Sequence, residues 1–210
     1  MSVELCNKNT LVSSEPHLEW TVDFTLPTYQ QRLAQRGRKT DPLAKAVGLS
    51  KESDLRILDM TAGLGKDAYW LAHCGAHVTL LERHPLLAQC LQHAVQQLAQ
   101  HETFADVGAR MRVVQADALD YLNMLDNNQF DVAYYDPMFP ERKKSALVKK
   151  DMQILQLLHA CDETSTNVIE TVLNKIPKLV VKRPAHAPLL EEEKPHHQIN
   201  NDKIRFDVYQ

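Results

Sequence analysis

Acidic residues end three successive apolar segments of this sequence, and the first of them stands beside a glycine-rich turn. Asp59 precedes Gly63 and Gly65 in the run DMTAGLGKDA, whereas Glu82 ends HVTLLE and Asp117 ends RMRVVQAD. Glycine permits positive φ angles and lets the backbone approach a ligand closely, and a helix that begins after Gly65 would present free N–H groups. Three carboxylates in this arrangement predict a small-molecule site.

Two adenosine-containing cofactors could use such a site. The run GLGKDA (63–68) is a permissible dinucleotide fingerprint, whose third glycine is sometimes alanine. S-adenosylmethionine lacks a pyrophosphate but carries a cationic amine and a sulfonium, which suit the carboxylate of Asp59. Glu82 could hold the ribose diol of either cofactor, and Asp117 could accept a hydrogen bond from the adenine amino group. The residues therefore indicate an adenosine-type cofactor, and the position of Asp59 favours S-adenosylmethionine.

A fourth acid, Asp136, ends the apolar run FDVAYYD and begins the turn DPMFP. The exocyclic amine of a nucleobase is a poor nucleophile because its lone pair is delocalised into the ring. Its methylation therefore calls for an acceptor that holds the N–H group. Asp136 could be that acceptor, and Pro137 would stiffen the turn that aims it. Phe139 could stack on a base turned out of the RNA, a contact worth about 1–3 kcal/mol. Asp136, Pro137 and Phe139 are the predicted catalytic residues.

A run of basic residues follows this turn and is the predicted contact to RNA phosphates. It consists of Arg142, Lys143, Lys144, Lys149 and Lys150. The net charge of −3 argues against wholesale coating of a nucleic acid, but local charge governs binding more than the total does.

The elements that would position these residues alternate between short apolar runs and helix-length segments. Predicted strands cover 55–60, 77–82, 110–117, 130–136, 178–184 and 204–210, and predicted helices cover 66–74, 85–100, 118–125, 149–160 and 165–175. Such alternation is typical of a mostly parallel sheet with helices on both faces, and the right-handed crossover rule favours a doubly wound α/β fold. Ligands of these sheets bind at the carboxyl ends of the strands, where the four acids would lie.

Both ends of the sequence depart from this alternation. Residues 1–53 are predicted to form an N-terminal extension with basic residues, and residues 54–210 are predicted to form the S-adenosylmethionine-binding domain. The last strand follows a proline-rich connection without helical periodicity, which predicts an antiparallel strand at one edge of the sheet.

Composition narrows the class of protein. A chain of 210 residues with 44% apolar residues suits one globular domain with a small appendage. No apolar run approaches the roughly 18 residues of a membrane span, and the N-terminal sequence does not look like a signal peptide. The four cysteines are scattered, as is typical of free thiols in a reducing cytosol, and the ten histidines form no metal-binding motif.

Several of these motifs closely resemble the RsmJ family of bacterial ribosomal RNA methyltransferases. They are DMTAGLGKDA, LLERHP, YYDPMFPERKKSALVKKDM, VVKRP and RFDVY, and the resemblance extends from about Pro16 to the C-terminus. The family implies the class I methyltransferase fold, S-adenosylmethionine as cofactor, a cytoplasmic location, and methylation of the 2-amino group of one guanine in 16S ribosomal RNA. By position, it also implies cofactor contacts at Lys66, Asp67, Glu82, Arg83, Asp117, Ala118 and Asp136.

Other functions remain open from the residues alone. The turn around Asp136 would serve the adenine N6 amine as well as the guanine N2 amine, and only the resemblance favours guanine. A nicotinamide-dependent oxidoreductase could use the same glycine turn, and an RNA-binding protein without catalysis could keep the basic run. The RNA substrate could be free or part of a small ribosomal subunit, and the sequence carries no signature of an oligomeric state.

Overall fold

A seven-stranded mixed sheet forms the centre of the molecule, in a computed structural model that describes residues 3–14, 17–137, 150–158 and 167–210. The strands of these residues are β1 (Val3–Asn7), β2 (Thr10–Ser13), β3 (Leu18–Thr21), β4 (Arg56–Asp59), β5 (His77–Glu82), β6 (Met111–Gln115), β7 (Val132–Tyr135), β8 (Leu179–Pro184), β9 (His197–Asn200) and β10 (Ile204–Tyr209). The helices are α1 (Pro27–Ala34), α2 (Pro42–Val47), α3 (Lys66–His73), α4 (Pro85–Ala99), α5 (Ala105–Gly108), α6 (Ala118–Met124), α7 (Lys150–Leu158) and α8 (Val168–Leu173).

The central sheet has the strand order β6-β5-β4-β7-β8-β10-β9. Strands β4 to β8 pair in parallel, whereas β10 pairs antiparallel with both β8 and β9. This is the predicted α/β sheet with an antiparallel strand on one side. The strand β9 was not predicted, and it lies outside β10 as the edge of the sheet. Its residues HQIN are polar and largely exposed, so they lack the apolar run by which the other strands were identified.

Residues of the inner strands alternate between two apolar layers. Ile57 of β4 joins the layer that contains α2, α3 and α4, while its neighbour Leu58 joins the layer that contains α6 and α8. Val180 of β8 packs in the first layer and Val181 in the second. Side chains of a strand point to opposite faces in turn, and a parallel sheet buries both faces. This explains the continuous apolar runs from which the strands were predicted.

The N-terminal segment folds into a three-stranded antiparallel sheet, β1-β2-β3, followed by α1 and α2. No strand was predicted here because the segments VELCN, TLVS and LEWT interleave polar with apolar residues and form no continuous apolar run. Leu11, Phe24 and Leu43 of this segment are buried in the same apolar layer as Ile57 of the central sheet. The division of the chain into residues 1–53 and 54–210 stays a prediction.

Helix starts follow signals that are visible in the sequence. Pro42 and Pro85 occupy first-turn positions of α2 and α4, where the missing N–H group costs nothing. The carboxylate of Asp41 caps α2 by accepting a hydrogen bond from the Ala44 N–H at 3.0 Å. Within the part of the chain that the structure describes, no helix is both long enough and apolar enough to cross a membrane.

The turn between β4 and α3 places two glycines in the left-handed region, as the sequence predicted. Gly63 has φ +50° and Gly65 has φ +69°. A Cβ atom on Gly65 would lie 2.8 Å from the Phe24 ring and 2.9 Å from a Leu91 methyl, whereas one on Gly63 would have no neighbour nearer than 3.8 Å. Packing against the N-terminal segment, as well as backbone conformation, therefore demands glycine at position 65.

We expect Gly65→Ala to lower the free energy of unfolding by about 2–4 kcal/mol, the sum of left-handed strain and overpacking. Gly63→Ala is the matched control, and its cost should be about 1–2 kcal/mol because only backbone strain applies. Urea denaturation of the two variants measures both values. Equal costs at the two positions would contradict the proposed packing constraint.

Candidate active site

Two of the predicted site residues, Asp59 and Asp136, lie where the strand order reverses, at the carboxyl ends of β4 and β7. These strands are hydrogen-bonded neighbours, yet the chain continues from them to opposite sides of the sheet. Asp59 ends β4 and Asp136 directly follows β7. The Asp136 N–H donates to the Thr61 hydroxyl oxygen at 2.7 Å, which ties the loop after β4 to the end of β7. Such a reversal opens a crevice between the two loops, and ligands of doubly wound folds bind there.

A single lysine ammonium joins two of the acids. Lys182 Nζ donates to Asp67 Oδ2 at 2.7 Å and to Asp136 Oδ2 at 2.8 Å. The Tyr134 hydroxyl also donates to Asp67 Oδ2, at 2.8 Å. The four side chains form a continuous polar chain, Tyr134–Asp67–Lys182–Asp136, contributed by β7, α3, β8 and the residue that follows β7.

Burial and charge oppose one another in this cluster. Burial alone would lower the pKa of Lys182, but the two carboxylates outweigh it, raise the pKa and keep the amine protonated. Burial acts to raise the pKa of Asp67, but Lys182 and the Tyr134 hydroxyl lower it overall. At Asp136 burial prevails over Lys182 and raises the pKa, with repulsion from Asp67 adding to the rise. Asp67 is thus the acid of the cluster whose ionised form is favoured. Asp136 is the acid that takes up a proton more readily than an ordinary aspartate.

Asp59 lies beneath this cluster and is almost completely buried, with 1% of its surface exposed. Burial raises its pKa to about 8, although the Thr61 N–H donates to Asp59 Oδ1 at 3.1 Å and opposes the rise. The nearby carboxylates of Asp67 and Asp136 also raise the pKa of Asp59. A buried acid of this kind is costly to ionise unless a cation reaches it.

Glu82 ends β5 and is 3% exposed. Its Oε1 accepts a hydrogen bond from the His84 N–H at 2.7 Å. Burial raises the pKa of Glu82 to about 7, against the opposing effect of the backbone N–H groups of His84, Gly63 and Arg83. These groups orient the carboxylate beside the glycine turn. The ribose diol of an adenosine cofactor bound at that turn would lie next to the Glu82 carboxylate.

Three further predicted contacts lie at helix starts, and a fourth lies in the loop after β5. Asp117 is the N-cap of α6, because its Oδ1 accepts from the Leu119 N–H at 2.9 Å, and Ala118 is the first residue of that helix. Lys66 is the first residue of α3, and Arg83 is exposed directly after Glu82. Asp117 thus has a structural role in the helix, and its contact to adenine stays a prediction.

The remaining predicted residues are only partly within the described chain. Pro137 is half-buried beside Asp136. Phe139, Arg142, Lys143, Lys144 and Lys149 lie outside the described residues, and Lys150 begins α7 without a described side chain. The stacking contact and the phosphate contacts therefore stay predictions.

The sequence prediction missed Lys182, Thr61 and Tyr134 as site residues. In the sequence Lys182 lies close to two other basic residues, Lys178 and Arg183. The structure separates the three: Lys178 Nζ donates to the Val47 carbonyl at 3.2 Å, Arg183 donates to the Pro188 carbonyl at 2.6 Å, and Lys182 alone enters the site. A signal was present, since a charged residue inside the apolar strand KLVVKRP needs a buried partner.

The donor set fits the cationic cofactor better than a dinucleotide. Asp59, Asp67 and Asp136 face one ammonium, that of Lys182, so the cluster carries more acidic than basic groups. A sulfonium and an amine would relieve this imbalance, whereas a pyrophosphate would aggravate it.

The buried state of Asp59 predicts a stability that depends on pH. Its folded pKa of about 8 exceeds the ordinary value of 3.8, so the folded protein retains a proton that the unfolded chain has lost. This contribution to stability is present below about pH 4 and is lost as the pH rises through about 8. Asp59→Asn keeps the acceptor for the Thr61 N–H but cannot titrate. We expect its melting temperature to exceed that of the wild type by an amount that grows from pH 5 to pH 9.

Thermal unfolding followed by circular dichroism across that range measures this difference. Asp202→Asn, at an exposed turn residue, is the matched control and should track the wild type. A constant offset between wild type and Asp59→Asn at all pH values would contradict a raised pKa at Asp59.

Comparison with known proteins identifies the family of the chain. Residues 5–210 match the family described as "Putative SAM-dependent methyltransferase", a match that begins upstream of Pro16, where the resemblance was expected to begin. The ribosomal RNA small subunit methyltransferase J of Thioalkalivibrio sulfidiphilus is 42% identical over 190 residues, which cover 90% of this chain and 74% of that protein. The protein of the same name from Pseudoalteromonas atlantica is 41% identical over 217 residues, covering 95% of this chain and 84% of that protein.

A solved structure agrees as well. The SAM-dependent methyltransferase from Neisseria gonorrhoeae superposes with a TM-score of 0.75 at 27% identity, over 95% of this chain and 78% of that chain. The predicted class I methyltransferase fold is confirmed, and S-adenosylmethionine is the cofactor. The chain belongs to the ribosomal RNA small subunit methyltransferase J family of S-adenosylmethionine-dependent methyltransferases.

Proposed function

We propose that this enzyme methylates the exocyclic N2 amine of one guanine in 16S ribosomal RNA, free or within the small ribosomal subunit. The observation that carries the proposal is Asp136, held at the strand reversal by Lys182 and Thr61 within the acidic cluster. The name that the relatives share, ribosomal RNA small subunit methyltransferase J, supports the choice of RNA. A substrate of this kind places the enzyme in the bacterial cytoplasm.

Asp136 performs the central step in this proposal. Its Oδ2 is held by Lys182, so Oδ1 is the oxygen that accepts the N–H of the target amine. When bound, S-adenosylmethionine supplies a methyl group on a positively charged sulfur, and loss of that methyl to an amine leaves a neutral thioether and frees one amine proton. Asp136 Oδ1 receives this proton and passes it to water, which restores the carboxylate.

Other residues would bind and orient the reactants. Glu82 would hold the ribose diol and Asp59 would face the cationic end of the cofactor, while Gly63 allows the backbone to approach it. Phe139 would stack on the guanine, and the basic run that begins at Arg142 would contact the surrounding phosphates. Each of these contacts limits the freedom of the amine relative to the methyl donor, which raises the rate of transfer.

Labelled S-adenosylmethionine tests the proposal with ribosomal RNA from a strain that lacks the enzyme, offered both free and in small subunits. We expect the label in N2-methylguanosine at one nucleotide. Asp136→Asn keeps the shape of the side chain but removes the proton acceptor, so transfer should fall about a hundredfold or more.

The control for this experiment is again Asp202→Asn, which should transfer at the wild-type rate. S-adenosylhomocysteine binding, measured by calorimetry, should change far less in Asp136→Asn than transfer does. Label in N6-methyladenosine would favour the adenine alternative, and full activity of Asp136→Asn would remove Asp136 from the mechanism.

The pKa of Glu82 predicts how cofactor affinity depends on pH. A protonated carboxyl accepts hydrogen bonds from the two ribose hydroxyls more weakly than a carboxylate does, because it has lost its charge and one oxygen carries the proton. Glu82 gains that proton below about pH 7. We expect the affinity for S-adenosylhomocysteine to fall as the pH drops from 8 to 6. In Glu82→Gln, affinity at pH 8 should be about tenfold lower, the loss of one charged hydrogen bond, and its pH dependence should be flatter. Equal slopes in wild type and variant would assign the dependence to another group.

A further inference from the structure

We propose that Lys182 is a positioning residue of the methyl transfer: it holds Asp136 Oδ2 and keeps Asp136 available as a proton acceptor, while Asp67 and Tyr134 hold Lys182 in place. The inference rests on the proposed function. It explains what holds and orients the proton acceptor, which the cofactor-binding residues do not do. Lys182 contacts Asp136 and need not touch the substrate, so its effect on methyl transfer passes through the position and the protonation of Asp136.

The geometry restrains Asp136 from two directions. Its backbone N–H donates to the Thr61 hydroxyl at 2.7 Å, and its Oδ2 accepts from Lys182 Nζ at 2.8 Å. Lys182 is itself restrained, because its ammonium also donates to Asp67 at 2.7 Å, and Asp67 accepts a further bond from Tyr134 at 2.8 Å. A side chain held at both ends loses rotamer freedom before substrate binds, so its other carboxylate oxygen, Oδ1, keeps one direction.

The register of two parallel strands produces this contact. Tyr134 of β7 is opposite Val180 of β8, and Tyr135 is opposite Val181. One residue further, Asp136 therefore meets Lys182. Because side chains alternate between faces, Asp136 and Lys182 emerge on the face that carries Tyr134 and Val180, which is the face covered by α3. Asp67 projects from the first turn of that helix.

Charge explains why a cation is needed at this position. Asp136 is faced by Asp67 from α3, Asp59 from β4, Tyr134 from β7 and Lys182 from β8. Lys182 is the cation among these four groups, with Arg36 acting further away on Asp67. Without the ammonium, burial and the neighbouring carboxylate of Asp67 would both favour a protonated Asp136, which cannot receive the proton of the amine.

Lys182 does not itself act as the base. Its two carboxylate partners raise its pKa despite the burial, so the amine stays protonated throughout the working pH range. It acts through Asp136, and its loss should therefore alter the pH dependence of transfer as well as its rate.

The decisive experiment measures the pH profile of single-turnover transfer at saturating cofactor and RNA. In Lys182→Met we expect the acidic side of the pH–rate profile to shift to higher pH by about one unit or more. Transfer should be roughly tenfold slower at pH 7 and should recover partly at pH 9. Lys182→Arg keeps the positive charge, so the acidic side of its profile should lie at the same pH as in the wild type. Lys178→Met is the matched control, because among the described residues Lys178 donates to the Val47 carbonyl rather than to an acid of the site, so its loss should leave the profile unchanged.

A uniform loss of rate with an unshifted acidic side of the profile in Lys182→Met would overturn the proposal in favour of a purely structural lysine. An equal shift in Lys182→Arg would also overturn it, because charge would then not matter. A Lys182→Met variant that only gains affinity for S-adenosylmethionine would make Lys182 a competitor of the cofactor, which contradicts the role proposed here.

A second measurement does not depend on the RNA substrate. The carboxyl carbon of Asp136, observed by NMR and assigned by its loss in Asp136→Asn, should titrate about one pH unit or more higher in Lys182→Met than in the wild type. If that variant does not fold, Lys182→Met combined with Asp67→Asn removes one charge of each sign. Asp136 should still titrate above the wild type, since Lys182 affects its pKa more than Asp67 does.

The two measurements separate the proposals. A wild type that transfers no methyl to ribosomal RNA contradicts the proposed function, and the titration of Asp136 still decides the role of Lys182. Unchanged titration of Asp136 in the lysine variants overturns that role whatever the substrate.

Discussion

The concentration of carboxylates at one edge of the sheet is the constraint on which this enzyme depends. Asp59, Asp67 and Asp136 approach one another at the strand reversal, and Lys182 is the ammonium that offsets two of them. Burying like charges together is unfavourable in a folded protein, so such a cluster exists only where the surrounding structure enforces it. The same imbalance makes the site receptive to a cofactor that carries positive charge. Stability and cofactor binding are therefore opposed at this edge.

The N-terminal segment contributes to the site by fixing α3. Phe24 stacks on Tyr69 of that helix with ring centroids 5.0 Å apart, and Arg36 lies 4.4 Å above the ring of Trp70. Arg36 also pairs with Asp41 at 2.8 Å, and that carboxylate accepts from the Trp70 indole N–H at 3.1 Å. These contacts fix the position of the helix whose first turn carries the acid that binds Lys182. Part of the N-terminal positive charge thus has a structural role, since Arg36 is engaged within the chain.

Much of the fold followed from local sequence because its signals are local. The continuous apolar runs of buried parallel strands can be identified without knowledge of distant residues. The same holds for helices that begin with Pro85 or are capped by Asp117. The strands of the N-terminal sheet and β9 escaped prediction for the opposite reason. They mix polar with apolar residues, so tertiary packing rather than an apolar run defines them.

The sequence by itself determined which acids end the strands, because Asp59, Glu82 and Asp136 each follow an apolar run, and the order of strands and helices brings such ends to one edge. It also determined the left-handed glycine turn. Only the tertiary structure decided how the acids are paired. The register of β7 against β8 placed Lys182 beside Asp136, and the packing of α3 brought Asp67 to the same ammonium. Register and helix orientation depend on contacts between residues far apart in the chain, and no local pattern encodes them.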